Sequence, residues 1–472
     1  MNPGCEPQAG NTAERLVAVH AGVFLTVACW AFGGNADWVR TPLSLFGTLG
    51  IVLSAVIAAY PPLRRVAPRG ALGWAAPVLV LNLLVAAACL TPQLRPLSIG
   101  GTAYLVPLAN PWWRPGSADP ATSLRSLWLF DGIYFSCLNL ALAVRRRGLY
   151  RLLLGWAVAN AAVLAVFGTV QKFVGSTGIY FGAVKSPQQY FFASFVYKNH
   201  WGAFVLLMSA ASAGLVLRYA RGMNQRGFFH GPATLFLVMT LVLALSVPVS
   251  GSRACSLLLV FLLLAALVQG LPRVSNAMGV HGLGRRASGA VLALGGVAAL
   301  LGAWAFGADA VTSRTETTRD ELRVMWASGK VGWRNVLYRD TLQMARDRPV
   351  FGWGMGSYPT VFRFYNTQKP GDDRVPVVFH DAHSDWLQSV SEIGLVGTAL
   401  IGAAVALPLS ALRGRRLAPL PRFLLLGCAT VAAYATVEFP FGNVAVVLSW
   451  WFCFFIAVQY GRLTSTADSF ER

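Results

Sequence analysis

The chain has 472 residues, 55% of them hydrophobic and only 12% charged, with a formal net charge of +20. A soluble domain carries about 25% charged residues. Half that share, spread among long apolar runs, excludes an ordinary soluble enzyme and points to a membrane protein. The basic excess is no nucleic-acid footprint, because its arginines sit in short loops between apolar runs.

In chain order, the apolar runs fall near 16–34, 42–60, 71–90, 126–144, 149–174, 200–217, 232–249, 254–271, 288–308, 386–412, 422–437 and 443–461. Most approach the roughly 20 residues that cross a bilayer as a helix, which predicts an all-α polytopic protein of about twelve spans. The first run has Glu6 and Glu14 before it and no small-residue cleavage site after it, so it reads as a retained span and not a signal peptide. Twelve spans place both termini on one side. The internal loops of that side, 61–70, 145–151, 218–231, 272–287 and 413–422, hold many arginines and no Asp or Glu. The positive-inside rule makes that side cytoplasmic. The seven cysteines lie in or beside spans, so no disulfide framework is implied.

On the outer side, the loop at 91–125 is rich in Pro, Gly and Trp ("NPWWRPGSADP"), and the loop at 176–199 ends in "FVYKNH". The loop at 309–385 is the largest and alone has a soluble-protein composition. The chain therefore divides into nine spans over 1–308, the outer loop 309–385, and three spans with a short cytoplasmic tail over 386–472. Within the loop, Trp333, Val336, Leu337 and Met344 recur at helical spacing until Pro349 ends the pattern, with Arg334 and Arg339 off the apolar stripe. The "GWGMG" that follows lacks the preceding strand and the GKS/T of a nucleotide loop, so it reads as a flexible turn that allows close packing.

The segment "VFHDAHSDWLQSVSEIGLVG" leads from this loop into the tenth run. A helix over 384–397 would place Asp385, Gln388, Ser389 and Glu392 on one face and Trp386, Leu387, Val390 and Ile393 on the other. Glu392 then sits about two turns into the membrane, either in a wet cavity or as a buried hydrogen-bond partner locking helices together. His380 and His383 lie at the mouth. Three readings stay open for them: metal ligands, plain interface histidines, or, for His383, a general base working near neutral pH. No HExxH, Cys ligand set or D-x-D accompanies them. Cations converge on the same side: Arg253 in "VSGSRACS", Lys198 beside Asn199 and His200 in "YKNHWGAF", Lys172 near the end of the fifth run, and Arg334. Such groups suit a phosphate-bearing substrate, or they snorkel to anionic headgroups.

The ordered set "YKNHWGAF", "SGSRACSLLLV", "GWRNVLYRDTLQMARDRPVFGWGMGSY", "HDAHSDWLQSVSEIGLVG" and "VEFPFGN" resembles the O-antigen ligase and O-antigen/exopolysaccharide polymerase superfamily of bacterial envelope glycosyltransferases (WaaL/Wzy type). The likeness covers roughly residues 195–460, and the combination in order is more specific than any one piece. It implies a GT-C-like inner-membrane enzyme, metal-independent and without cofactor, that takes a glycan from undecaprenyl diphosphate at the periplasmic face. Arg253 and Arg334 would bind the diphosphate and stabilise it as leaving group. His383 would take the proton of the acceptor hydroxyl. His200 and Glu392 match motif positions. Arg339 and His380 are further substrate-binding candidates, with His380 and Asp381 open between a supporting role and metal. The acceptor would be a lipid A-core sugar for a ligase or a lipid-linked repeat unit for a polymerase. Two departures bear on the acceptor: Ser384 follows the histidine where the family often has Asn, and the loop carries the acidic patch "PGDDR". A twelve-span transporter is the main reading from another class, although the two halves of the chain differ and its polar groups gather at the outer mouth, not at the midplane.

Overall fold

The computed structural model describes residues 6–68, 70–220, 230–277, 333–367 and 378–467. The ninth apolar run, 288–308, and the "PGDDR" patch lie outside these residues. Among them the chain is all-α and polytopic, with ten helices long and apolar enough to span a bilayer. In chain order the helices are α1 (Glu6–Trp30), α2 (Asp37–Ala59), α3 (Pro61–Val66), α4 (Ala76–Cys89), α5 (Pro120–Ala143), α6 (Arg147–Phe173), α7 (Lys198–Tyr219), α8 (Pro232–Ser250), α9 (Arg253–Ala277), α10 (Trp333–Asp347), α11 (Tyr358–Val361), α12 (Asp385–Ser410), α13 (Pro419–Tyr434) and α14 (Val444–Ala467). The eleventh predicted span is α13, at 16 residues too short to count among those ten.

The lipid-facing surface follows from helical period. On α1, Leu16, Val19, Val23 and Val27 are exposed, and on α2, Leu45, Leu49, Val52 and Val56. Apolar side chains three and four apart that face outward are the reverse of a soluble helix and what a bilayer demands. Inside, α7 is buried along its whole span, and α5 and α14 are nearly so. Small residues set the closest crossing: a Cβ on Gly47 of α2 would stand 2.7 Å from Cα of Gly132 on α5, so the two backbones meet there. At the basic end, the buried carboxylate of Glu14 on α1 accepts from the backbone N–H groups of Arg145 and Arg146, both at 2.8 Å, and from Arg146 Nε at 2.6 Å. It thereby satisfies donors left over where α6 begins.

The opposite end carries the elements expected on the outer side. The Pro-, Gly- and Trp-rich loop after α4 contains an antiparallel hairpin, β1 (Leu94–Ile99) and β2 (Thr102–Pro107), closed by Gly100 and Gly101, both at positive φ. Leu94 at its base packs with Leu337 and Met344 of α10 and with Trp353, Tyr358 and Phe362 in a small satellite core. The helix expected after the outer loop is α10; of its apolar stripe, Leu337 and Met344 are buried and Val336 is half-buried.

Candidate active site

The glycine turn after α10 is not a free loop. Gly352, Gly354 and Gly356 all have positive φ, and the turn docks into a break in α12. At Gly394 the backbone adopts φ 66° and ψ −176°, which only glycine tolerates well. The helical ladder opens there, and outside groups fill it. Trp353 N–H donates to Ser391 O and Gly354 N–H to Glu392 O, while Leu395 N–H and Val396 N–H donate to Pro349 O and Val350 O. The continuous helix expected over 384–397 is thus two pieces joined by a docked loop.

Glu392 belongs to this joint. Its carboxylate accepts from Gly356 N–H at 2.7 Å, Tyr358 N–H at 3.2 Å and Gln388 Nε2 at 3.2 Å. Of the two roles open to it, the geometry corresponds to the buried partner that locks segments together. The rest of the polar face is used the same way: Asp385 Oδ2 accepts from Phe441 N–H, and Gln388 Oε1 from Ala382 N–H.

His383 sits just before the helix, capped by Ser384, whose hydroxyl accepts from Leu387 N–H. Its φ of 51° is unusual for a residue other than glycine. Two contacts hold it: its carbonyl accepts from the Tyr338 hydroxyl at 2.9 Å, and its ring meets Phe439 edge-on at 4.6 Å. Its Nδ1 lies 3.6 Å from Glu438 Oε1, and Arg334 Nη2 donates to that same oxygen at 2.5 Å. Arg334 Nη1 reaches Val437 O. Glu438 is 4% exposed, Arg334 41% and His383 18%. Burial alone would raise the Glu438 pKa, but the nearby His383 and Arg334 outweigh it and hold the carboxyl below its ordinary value. Asp381, beside His383, is instead pushed up by burial, with His383, Arg40 and His380 opposing.

Of the other expected site residues, Asn199 and His200 adjoin this cluster. Asn199 Oδ1 accepts from Ser252 Oγ at 2.7 Å, which ties the start of α7 to the turn that presents Arg253. His200 Nε2 contacts Phe439 O at 3.2 Å and Nδ1 contacts Asn35 Nδ2 at 3.4 Å, so protein groups meet both ring nitrogens. Lys198 lies over the Tyr190 ring at 4.5 Å. Arg339, 67% exposed, reaches Asp340 and Thr367. It also lines, with Tyr338, Leu342, Ser384, Leu387 and Thr436, an apolar groove of about 350 Å³ beside His383. Lys172 is exposed at the last turn of α6, and His380 is exposed; among the described residues neither bonds to Arg334 or Glu438. No three His, Cys, Asp or Glu side chains come together as metal ligands among the described residues.

Glu438 and Arg40 were not singled out from the sequence. Glu438 carried a signal: it is the one carboxylate between residues 393 and 467, and a lone acid among apolar residues is costly unless used. Arg40, near the start of α2 and far away in sequence, gave none.

Residues 237–402 match the family described as O-antigen ligase. This stretch is an O-antigen ligase family domain. It contains Arg253, Arg334, His383, the glycine turn and Glu392. His200 precedes the ligase domain and Glu438 follows it, so the cluster around His383 is completed from outside. No curated protein matches the chain. The many apolar helices make this a multi-pass membrane protein, and over 237–402 it is similar to the O-antigen ligase family.

Proposed function

We propose that this protein is a glycosyltransferase that moves a glycan from undecaprenyl diphosphate to an acceptor hydroxyl. It would work at the periplasmic face of the inner membrane, with both termini cytoplasmic. The observation that carries the reading is the single carboxylate oxygen of Glu438 facing both Arg334 and His383. A cation for a diphosphate and a base for a hydroxyl are thereby held side by side, above the outer ends of the helices.

The chemistry needs little else. The acceptor oxygen attacks the anomeric carbon, the bond to the diphosphate oxygen breaks, and the acceptor proton passes to His383 Nε2. Direct displacement inverts the anomeric centre, which suits one base and no carboxylate nucleophile. Arg334 and Arg253 meet the negative charge that develops on the departing diphosphate. Neither metal nor cofactor takes part. Lys198, Lys172 and Arg339 extend the cationic surface toward phosphates and headgroups, Asn199 positions the Arg253 turn, and Glu392 and His200 hold the frame. His380 is assigned to the approach of the donor.

The acceptor we favour is a lipid A-core sugar, the ligase reaction; polymerase transfer would use the same residues. Purified protein with undecaprenyl-diphosphate glycan and acceptor should form product in chelator, and His383→Ala should abolish it. Full activity of that variant would remove the base, and a requirement for divalent metal would turn His380–Asp385 into a metal-site question. In a deletion strain, accumulation of intact lipid-linked polymer marks a ligase, whereas loss of polymer length marks a polymerase.

A further inference from the structure

The two cation-capable groups on Glu438 differ in freedom. Arg334 is half-exposed at the end of a long flexible side chain, whereas Glu438 is buried and His383 is pinned by its carbonyl, its cap and Phe439. In this structure the guanidinium is engaged with protein: Nη2 with Glu438 and Nη1 with Val437 O. A diphosphate offers more negative charge and a better fork geometry than one carboxylate. The mobile partner will follow it, and the buried carboxylate cannot.

We propose that donor binding draws Arg334 off Glu438, and that the carboxylate so released takes His383 Nδ1–H as its partner, making the base competent only once the donor is in place. This rests on the glycosyltransferase reading above. The physical drive is the cost of a buried carboxylate left without a hydrogen-bond partner. Among the described residues, His383 Nδ1 stands 3.6 Å away, and the neutral ring can donate from it. Its Nδ1 would be fixed as donor, leaving Nε2 to receive the acceptor proton, and the imidazolium formed would be stabilised where it forms.

The other charged neighbours do not compete for that role. Asp381, two residues before His383, does face it, ahead of Arg40 and His380, but it is present in both states of the exchange and so does not depend on where Arg334 sits. His200 has both ring nitrogens met by Asn35 and Phe439. Tyr197 and Tyr338, whose phenols burial pushes up, stay neutral at working pH.

The test is the pH dependence of carbethoxylation at His383, since only the neutral imidazole reacts. Site-resolved mass spectrometry reads it on full-length protein in nanodiscs, with exposed His230, just before α8, as internal reference and undecaprenyl diphosphate as the probe. In the wild type the probe should raise the His383 midpoint by about one pH unit, the effect of gaining a close opposite charge. In Glu438→Gln the rise should fall to the small direct effect of the diphosphate. Arg334→Gln should show the raised midpoint without any probe, and it serves where Glu438→Gln does not fold. Equal shifts in wild type and Glu438→Gln, or no rise in Arg334→Gln, would overturn the exchange. Absence of any binding, read by thermal shift with the same probe, would instead remove the function on which it rests.

Discussion

Replacing Gly394 by alanine tests whether the docked break in α12 is held as described. A Cβ there would stand 2.2 Å from Val350 O, 2.3 Å from Val350 C and 2.4 Å from Phe351 N, all backbone atoms that no rotamer change can move aside. The conformation itself, at φ 66° and ψ −176°, costs a residue with a side chain about 1–3 kcal/mol. Relief requires the loop to back away from the helix, which threatens the four backbone hydrogen bonds joining 349–354 to 391–396. Losing even two of them at about 1 kcal/mol each brings the penalty to roughly 3–5 kcal/mol. The penalty is local, so it is read as local opening. Amide hydrogen exchange over 349–358 and 391–397 should accelerate by about two to four decades, at roughly 1.4 kcal/mol per decade. Gly402→Ala, on the same helix with nothing within 4 Å of the added carbon, should leave exchange unchanged or slow it slightly. Exchange in Gly394→Ala within about threefold of wild type would mean that the break does not depend on glycine, and the account of Glu392 as its latch would fall with it.

Glu438 predicts an acid limb. Its carboxyl is held below the ordinary value of 4.5, so the stability it contributes is present above that value and lost as pH falls through the lower folded one; unfolding temperature between pH 6 and 3 should drop more steeply in the wild type than in Glu438→Gln. Glu14→Ala strands two backbone donors and Arg146 and should cost about 2–4 kcal/mol, lowering the unfolding temperature in detergent by several degrees. Gly47→Leu should separate α2 from α5 and show as loss of monodisperse protein on size exclusion, with Leu49→Ala on the lipid face as the tolerant control.

The apolar runs placed the helices well because a bilayer filters by length and hydropathy, and both are written locally. The span pattern, the buried stripe of α10 and the gathering of polar groups at the outer end are all visible in single segments. The break at Gly394 was not. Hydropathy runs through "SEIGLVG" without interruption, and a glycine in a membrane helix is ordinary until a loop 40 residues earlier supplies the bonds the helix gives up. The hairpin at 94–107 was hidden in the same way, since its Pro and Gly content reads as irregular while its pairing depends on register. At the site, His383 and Arg334 were named from motif resemblance, but the group between them comes from a segment 55 residues beyond the histidine. Asn35 and Arg40 come from the first tenth of the chain. Their contribution depends on how the bundle closes, which no local pattern records.

The glycine turn that follows α10 is finished by the other half of the chain. Ala118 N–H donates to Trp353 O, the Ser123 hydroxyl to Met355 O, and Gly354 leaves room for Ser117 and nothing larger. A recombination boundary drawn at residue 237, where the family likeness begins, would therefore cut through a jointly built object. Chimeras with related enzymes should be viable only when 111–126 travels with the domain, and changes in that short stretch can retune the enzyme without touching any residue that resembles the family.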